Sequence, residues 1–350
     1  MQPELHRCYE LLPRVSRTFA LNIRILPGEL RPATTIAYLL FRFVDTIEDA
    51  PGLCEEDRSA LFDAALDRLD GSGPLSLPLA PRVHLSETVS ADELALLEAG
   101  EEVFRAHDGL PGAVREIIAS HVSETARGMQ RISATTRRDG LLVLDTWKDL
   151  DEYCYYVAGT IGIMLTRLFA AHSRHLDRHS ERQLMALGTN FGRGLQLTNI
   201  LKGVFADRQE GRVFLPSELL ARHGVTAEDL PDEGARHATL AAVNELVPRA
   251  LLDLEDALRY TLLVPRREPR IRLFCLWPLF TAVRTLSTIS RGCGILPGAA
   301  PARIGRGELY TEMATSAAEV FSNGRLRRRF DRFRRELFPP QPRREVWAGP

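Results

Sequence analysis

Three carboxylates fall within five residues at Asp45, Glu48 and Asp49, inside the otherwise apolar run Phe41-Arg42-Phe43-Val44-Asp45-Thr46-Ile47-Glu48-Asp49. Positions i, i+3 and i+4 of a helix share one face, so the three acids converge on one point in space. Like charges held that close call for a cation. Hard oxygen donors without His or Cys nearby suit Mg²⁺, whose shell is completed by water and phosphate oxygens. The competing reading is a solvated acidic helix end. A second stripe, Gln196, Asn199, Gly203 and Asp207, recurs at three- and four-residue steps among core-type residues. Two amides and a carboxylate there either bind something polar or satisfy one another, and both readings stay open. Anion-binding candidates surround the two stripes: Ser16-Arg17-Thr18-Phe19 near the start, Arg42 one turn before the acids, and Lys202 and Arg212 beside the second stripe. An arginine fork fits phosphate oxygens, so Mg²⁺-binding acids with arginines over an apolar interior form a device for ionising a diphosphate ester.

Helices must position these groups. Ile36, Leu39, Leu40, Phe43 and Ile47 recur at three- and four-residue steps, as do Val157, Ile161, Met164, Leu165 and Leu168, while strand-type alternation is almost absent. Glycine and proline gather between these stretches, as in Leu26-Pro27-Gly28 and Leu110-Pro111-Gly112. The expected architecture is a single all-α domain over residues 1–322. Residues 71–90, rich in Gly, Pro and Ser, read as a surface loop, with Ser90 or Asp92 capping the next helix. Over residues 323–350, Leu326, Phe330, Phe333 and Leu337 recur at helical spacing among seven arginines from Arg325 to Arg335. This basic amphipathic helix either docks its apolar stripe on the core or lies in a membrane interface. The tail from Pro339 onward is expected to be poorly ordered.

The 350 residues, 45% hydrophobic and 26% charged, have ample apolar material for a core, which excludes a disordered chain and a small disulfide scaffold. Basic and acidic residues nearly cancel at a net charge of −1, so no global field draws nucleic acid and any anion site is local. Only Lys148 and Lys202 are lysines among the 45 basic residues, a bias of composition rather than of chemistry. Five cysteines, Cys8, Cys54, Cys154, Cys275 and Cys293, show no paired spacing and fit a reducing cytoplasm. The start, MQPELHRCYE, lacks a signal-peptide pattern, and no window reaches the roughly 18 uninterrupted apolar residues of a membrane span. The expectation is a cytoplasmic protein whose contact with membranes is at most peripheral, through the C-terminal helix.

Four motifs in order make the chain similar to the squalene/phytoene synthase family over roughly residues 8–290: Ser-Arg-Thr-Phe at 16–19, Asp-Thr-Ile-Glu-Asp at 45–49, Tyr-Cys-Tyr-Tyr-Val-Ala-Gly at 153–159, and Leu-Gln-Leu-Thr-Asn-Ile-Leu at 195–201 followed by Gly-Arg-Val-Phe-Leu-Pro at 211–216. The Tyr-Val-Ala-Gly signature and Phe274-Cys275-Leu276-Trp277-Pro278 resemble the squalene synthase branch. The resemblance implies the class I isoprenoid synthase fold, a helical bundle around a central apolar cavity. It also implies a Mg²⁺-dependent prenyltransferase that ionises an allylic prenyl diphosphate of farnesyl or geranylgeranyl type and couples it to a second. Asp45, Glu48 and Asp49 are then metal ligands, with Asp45 and Asp49 also catalytic. Tyr156 becomes the tyrosine near the carbocation and its proton transfers, and Ser16, Arg17, Phe19, Arg42, Gln196, Lys202 and Arg212 become substrate-binding residues. NADPH is implied only if the product is squalene.

The chain departs from that family at the second acidic motif. Asn199, Gly203, Ala206 and Asp207 stand where the family carries an Asn, an Asp four residues on, and a Glu-Asp pair. Asn199 and Asp207 remain to hold metal. Three further readings follow: one diphosphate donor with a non-prenyl acceptor such as an amine or aromatic compound, single-substrate terpene cyclisation, or a non-catalytic prenyl-lipid-binding or partner subunit.

Overall fold

The computed structural model describes residues 3–138, 141–291 and 304–338. Its helices are α1 (Pro3–Val15), α2 (Arg17–Arg24), α3 (Leu30–Asp49), α4 (Glu55–Leu69), α5 (Leu79–Thr88), α6 (Ala91–Glu98), α7 (Gly100–Asp108), α8 (Gly112–Thr136), α9 (Trp147–Cys154), α10 (Thr160–His172), α11 (Arg178–Gln209), α12 (Ser217–Arg222), α13 (Arg236–Leu263), α14 (Pro269–Ser290), α15 (Arg306–Glu319) and α16 (Asn323–Leu337). A single π-helical turn, Tyr155–Gly159, joins α9 to α10. The all-α expectation holds for the bundle. A small sheet is added: β1 (Arg137–Arg138) pairs antiparallel with β2 (Leu141–Val143), which pairs in parallel with β3 (Arg212–Val213). Strands of two or three residues are too short to leave an alternation in the sequence.

The core sits where the periodic stripes face one another. Ile36, Leu39, Leu40, Phe43 and Ile47 of α3 are all buried, and each contributes about 1.5–3 kcal/mol by leaving water. Val157, Ile161 and Leu165 are only half-buried because they line a central cavity, together with Met164. The stretches Trp147–His172 and Pro269–Ser290 are long and apolar enough to cross a membrane by composition. Both line that same cavity, α10 through Ile161 and Met164 and α14 through Phe274, Cys275 and Pro278.

Glycine lets α10 and the π turn before it touch α11 backbone to backbone. A Cβ on Gly162 would lie 1.9 Å from the Gly188 carbonyl oxygen, and one on Gly192 would lie 2.0 Å from that of Ala158. No side chain fits in either gap.

The loop expected over residues 71–90 is corrected, because α5 occupies Leu79–Thr88. Pro78 opens that helix, and its Pro, Ser and Thr content hides the periodicity. Ser90 caps α6: its hydroxyl accepts from the Glu93 amide while the Glu93 carboxylate accepts from the Ser90 amide.

The stripe of α16 is turned to the core, with Leu326 and Phe330 buried and Phe333 and Leu337 packed against it. Of the two readings of that helix, the docked one describes its apolar face. The tail from 339 onward and Cys293 lie outside the described residues; Cys8, Cys54, Cys154 and Cys275 are free thiols.

Candidate active site

The acids stand at the C-terminal end of α3, where the helix dipole already concentrates partial negative charge. Two features of the fold offset this. Arg58, fully buried on α4, donates to the carbonyls of Ile47 at 2.6 Å, Glu48 at 2.5 Å, Ala50 at 3.2 Å and Leu53 at 3.1 Å, capping the helix end with a positive charge. Arg42 and Arg212 pair with the carboxylates themselves. Arg42 reaches Asp45 Oδ2 and Glu93 Oε1, each at 2.5 Å, and Arg212 reaches Asp49 Oδ1 at 2.5 Å.

Ligand oxygens of Asp45, Glu48 and Asp49 all lie within 4.8 Å of one another. Burial, reinforced by the neighbouring Asp49, pushes the Asp45 carboxyl up to about 6 against the pull of Arg42. Burial and the same two acids push Glu48 well above the carboxylate range. A cluster in which each charge disfavours the next is built for a cation, and an all-oxygen set fits Mg²⁺.

Facing α3, the long helix α11 presents Gln196, Asn199 and Asp207. Burial, aided by Asp49 and opposed by Arg212, pushes Asp207 up to about 7. Gly203 makes room for this carboxylate: a Cβ there would lie 2.7 Å from Asp207 Oδ2. Lys202 donates to Asn199 Oδ1 at 3.2 Å. Arg212 arrives from the other side of a turn at Gly211, whose φ of 80° requires glycine. Pairing of β3 with β2 fixes that turn, the Leu142 amide donating to the Gly211 carbonyl at 2.8 Å. The Arg212 guanidinium also pairs with Glu210 and stands 3.8 Å from Asp207.

Two connected spaces result. A polar pocket of about 180 Å³ is lined by Asp45, Asp49, Tyr153, Gln196, Asn199, Asp207, Arg212 and Phe214. An apolar cavity of about 270 Å³ runs inward between α2, α3, α10, α11, α13 and α14. Asp45, Val157, Gln196 and Asn199 line both. Aromatic rings pair along the cavity wall: Phe19 against Tyr38 at 5.5 Å, Phe169 edge-on to Phe274 at 5.9 Å, and Phe191 edge-on to Tyr260 at 5.4 Å.

Of the residues expected at the site, Asp45, Glu48, Asp49, Arg42, Gln196, Asn199, Lys202, Asp207, Arg212 and Phe19 come together here. Ser16 sits at its edge, its hydroxyl accepting from the Phe19 amide at 3.3 Å to cap α2. Two of the expected residues lie elsewhere. Arg17 lines a different recess, between α1, α2 and α3, because the first residue of α2 points away from the cavity that Phe19 faces. Tyr156 lines neither space: its ring packs on Gly128, where a Cβ would lie 2.1 Å away, and its hydroxyl accepts from Arg131 at 2.8 Å. Tyr153 and Val157, four residues apart, share the inward face, and Tyr156 between them lies off it. Tyr153 takes the inward position, stacked on Phe214 at 4.5 Å, its phenol held well above the usual range by burial and the three acids. Tyr153 stands in the same motif as Tyr156 and was within reach of the sequence. Glu93 and Arg58 carried no motif signal.

Comparison with known proteins agrees with this geometry. The squalene/phytoene synthase family model matches residues 12–295. The chain is 28% identical to squalene synthase 1 of Arabidopsis thaliana, over 91% of this chain and 73% of that protein. It is 31% identical to squalene synthase ERG9 of Candida albicans, over 86% of this chain and 65% of that protein. Among solved structures, TcSQS in complex with a ligand superposes with a TM-score of 0.77 at 25% identity, over 96% of this chain and 97% of that one. Squalene synthase HpnC from Alicyclobacillus acidocaldarius shares the fold at a TM-score of 0.57 and 22% identity, over 84% and 95% of the two chains. With two polar helix faces opposed over one apolar cavity and a family match over most of its length, this chain belongs to the squalene/phytoene synthase family of prenyltransferases.

Proposed function

We propose that this chain ionises an allylic prenyl diphosphate with Mg²⁺ and couples the resulting cation head-to-head to a second prenyl diphosphate of farnesyl or geranylgeranyl type. The observation that carries this reading is the continuity of the polar pocket with the aromatic cavity through Asp45, Gln196 and Asn199. A diphosphate fits the first space and its hydrocarbon the second. Asp45, Glu48 and Asp49 would hold metal on one side, with Asn199 and Asp207 on the other. Bound Mg²⁺ supplies charge neutralisation for the departing diphosphate. Arg42 and Arg212 orient phosphate oxygens, and the Gln196 amide sits where head and chain meet. The rings of Phe19, Tyr38, Phe169, Phe191 and Phe274 exclude water and offer π faces to a carbocation. Tyr153 presents a protonated phenol beside the leaving group.

A non-prenyl acceptor such as an amine or aromatic compound is favoured by one observation: Gly203 and Ala206 leave Asp207 as the carboxylate of the second stripe. NADPH belongs only to the version that ends in squalene. The test is diphosphate release from geranyl, farnesyl and geranylgeranyl diphosphates with Mg²⁺, with and without NADPH, followed by mass spectrometry of the lipid extract. Coupling predicts a C30 or C40 hydrocarbon or its cyclopropyl diphosphate precursor, absent with Asp45→Ala or Asp49→Ala. Prenyl alcohol as the sole product overturns the coupling and moves the search to amines and aromatics.

A further inference from the structure

Behind α2, on the side away from the aromatic cavity, a recess of about 410 Å³ lies between α1, α2 and α3. Buried Leu12, Ala20 and Ile23 form its apolar floor, and Arg17, Arg24 and Arg31 surround it. Among the described residues, none of these three guanidinium groups has a carboxylate within ion-pair distance. Neighbouring arginines of α1 behave differently: Arg7 pairs with Glu10 at 3.1 Å and Arg14 with Asp92 at 2.9 Å. Arg31 is further constrained, its guanidinium 4.8 Å over the Tyr9 ring and its buried Nε without a hydrogen-bond partner. Three guanidinium groups around one recess without a carboxylate partner ask for an anion. The floor asks for hydrocarbon.

We propose that this recess binds a phosphate monoester carrying an alkyl or prenyl chain. Arg17, Arg24 and Arg31 hold the phosphate by charge-assisted hydrogen bonds, and the chain lies on Leu12, Ala20 and Ile23. The recess shares no lining residue with the acidic pocket, and it meets the aromatic cavity at Ile23.

Calorimetry of octyl phosphate with the full-length chain in EDTA tests this, because without metal the clustered carboxylates of the acidic pocket repel anions. The expected result is one-site binding, weakened about tenfold by Arg24→Gln and further by Arg24→Glu. Arg24 is exposed, so the variants should melt as the parent does; Arg31→Gln gives an independent second variant with the same expected loss. Absence of binding by the parent chain, or binding unaffected by all three arginine variants, overturns the proposal. So does inorganic phosphate binding as tightly as octyl phosphate, which would leave the floor without a part. Sedimentation with phosphatidylcholine vesicles containing phosphatidic acid separates the sources. Arg24-dependent sedimentation supports a bilayer phosphate, and octyl phosphate binding without it supports a soluble one.

Discussion

Arg212 and Asp49 stand 163 residues apart in the chain, yet Arg212 Nη1 lies 2.5 Å from Asp49 Oδ1. The same guanidinium reaches Glu210 and approaches Asp207 to 3.8 Å, so one fixed cation joins the two acidic faces. Burial works against its charge, but Asp49 and the surrounding acids more than compensate and raise its affinity for the proton.

Removing that cation leaves buried carboxylates uncompensated. Arg212→Gln should destabilise the metal-free protein by about 3 kcal/mol, with part of the loss restored by Mg²⁺. Denaturant melts in EDTA and in Mg²⁺ measure both quantities, and equal stability of variant and parent in EDTA would contradict the assignment.

The sign of the pH dependence follows from carboxyls held above their ordinary range. Asp45 at about 6 and Asp207 at about 7 bind protons in the folded chain where the unfolded chain, near 4, has lost them. Their contribution to metal-free stability is present at low pH and is lost as pH rises through 6 and 7. Mg²⁺ must displace those protons, so its binding at pH 6 should release about one proton or more and tighten toward pH 8. Titration calorimetry in two buffers of different ionisation heat reads the release; a heat independent of buffer would rule it out.

The inward tyrosine can be told from the outward one by a single oxygen. Tyr153→Phe should lower product formation about 10²-fold if the phenol serves in proton transfer, while Tyr156→Phe should leave it nearly unchanged. Steady-state rates on the two variants decide, and the reverse order would place Tyr156 at the reacting carbons.

The second acidic stripe can be rebuilt. Gly203→Asp alone should displace the Asp207 carboxylate, which lies over the glycine, and slow diphosphate release. Gly203→Asp with Ala206→Glu should raise the number of Mg²⁺ ions bound, measured by equilibrium dialysis. An unchanged count would mean that these two positions do not limit metal loading.

Local periodicity made much of this legible. The convergence of Asp45, Glu48 and Asp49, the buried stripe of α3 and the Ser90 cap depend on neighbours within one turn, and all are found where spacing placed them. The helix α5 escaped because proline and serine dominate its surroundings. Tyr156 is implied by resemblance alone, and a motif match carries no information about which of its tyrosines the packing turns inward. The position of Arg17 is not legible locally, because which side of α2 meets the cavity is set by packing on α1 and α3, helices that no local pattern orients. Arg58 and Glu93 reach the site from other helices, and nothing in their immediate sequence announces it.

The direct seating of α10 and the π turn on α11 at Gly162, Gly188 and Gly192 brings backbone against backbone at these points. These helices therefore behave as one stiff plank, and the cavity has little room to widen on that wall. On the proposed function, a longer hydrocarbon would be accommodated at α2, whose eight residues carry a partly exposed Phe19 on the cavity wall. Chain-length tolerance is in this view a mechanical property of α2, adjustable by substitutions that never touch the acids.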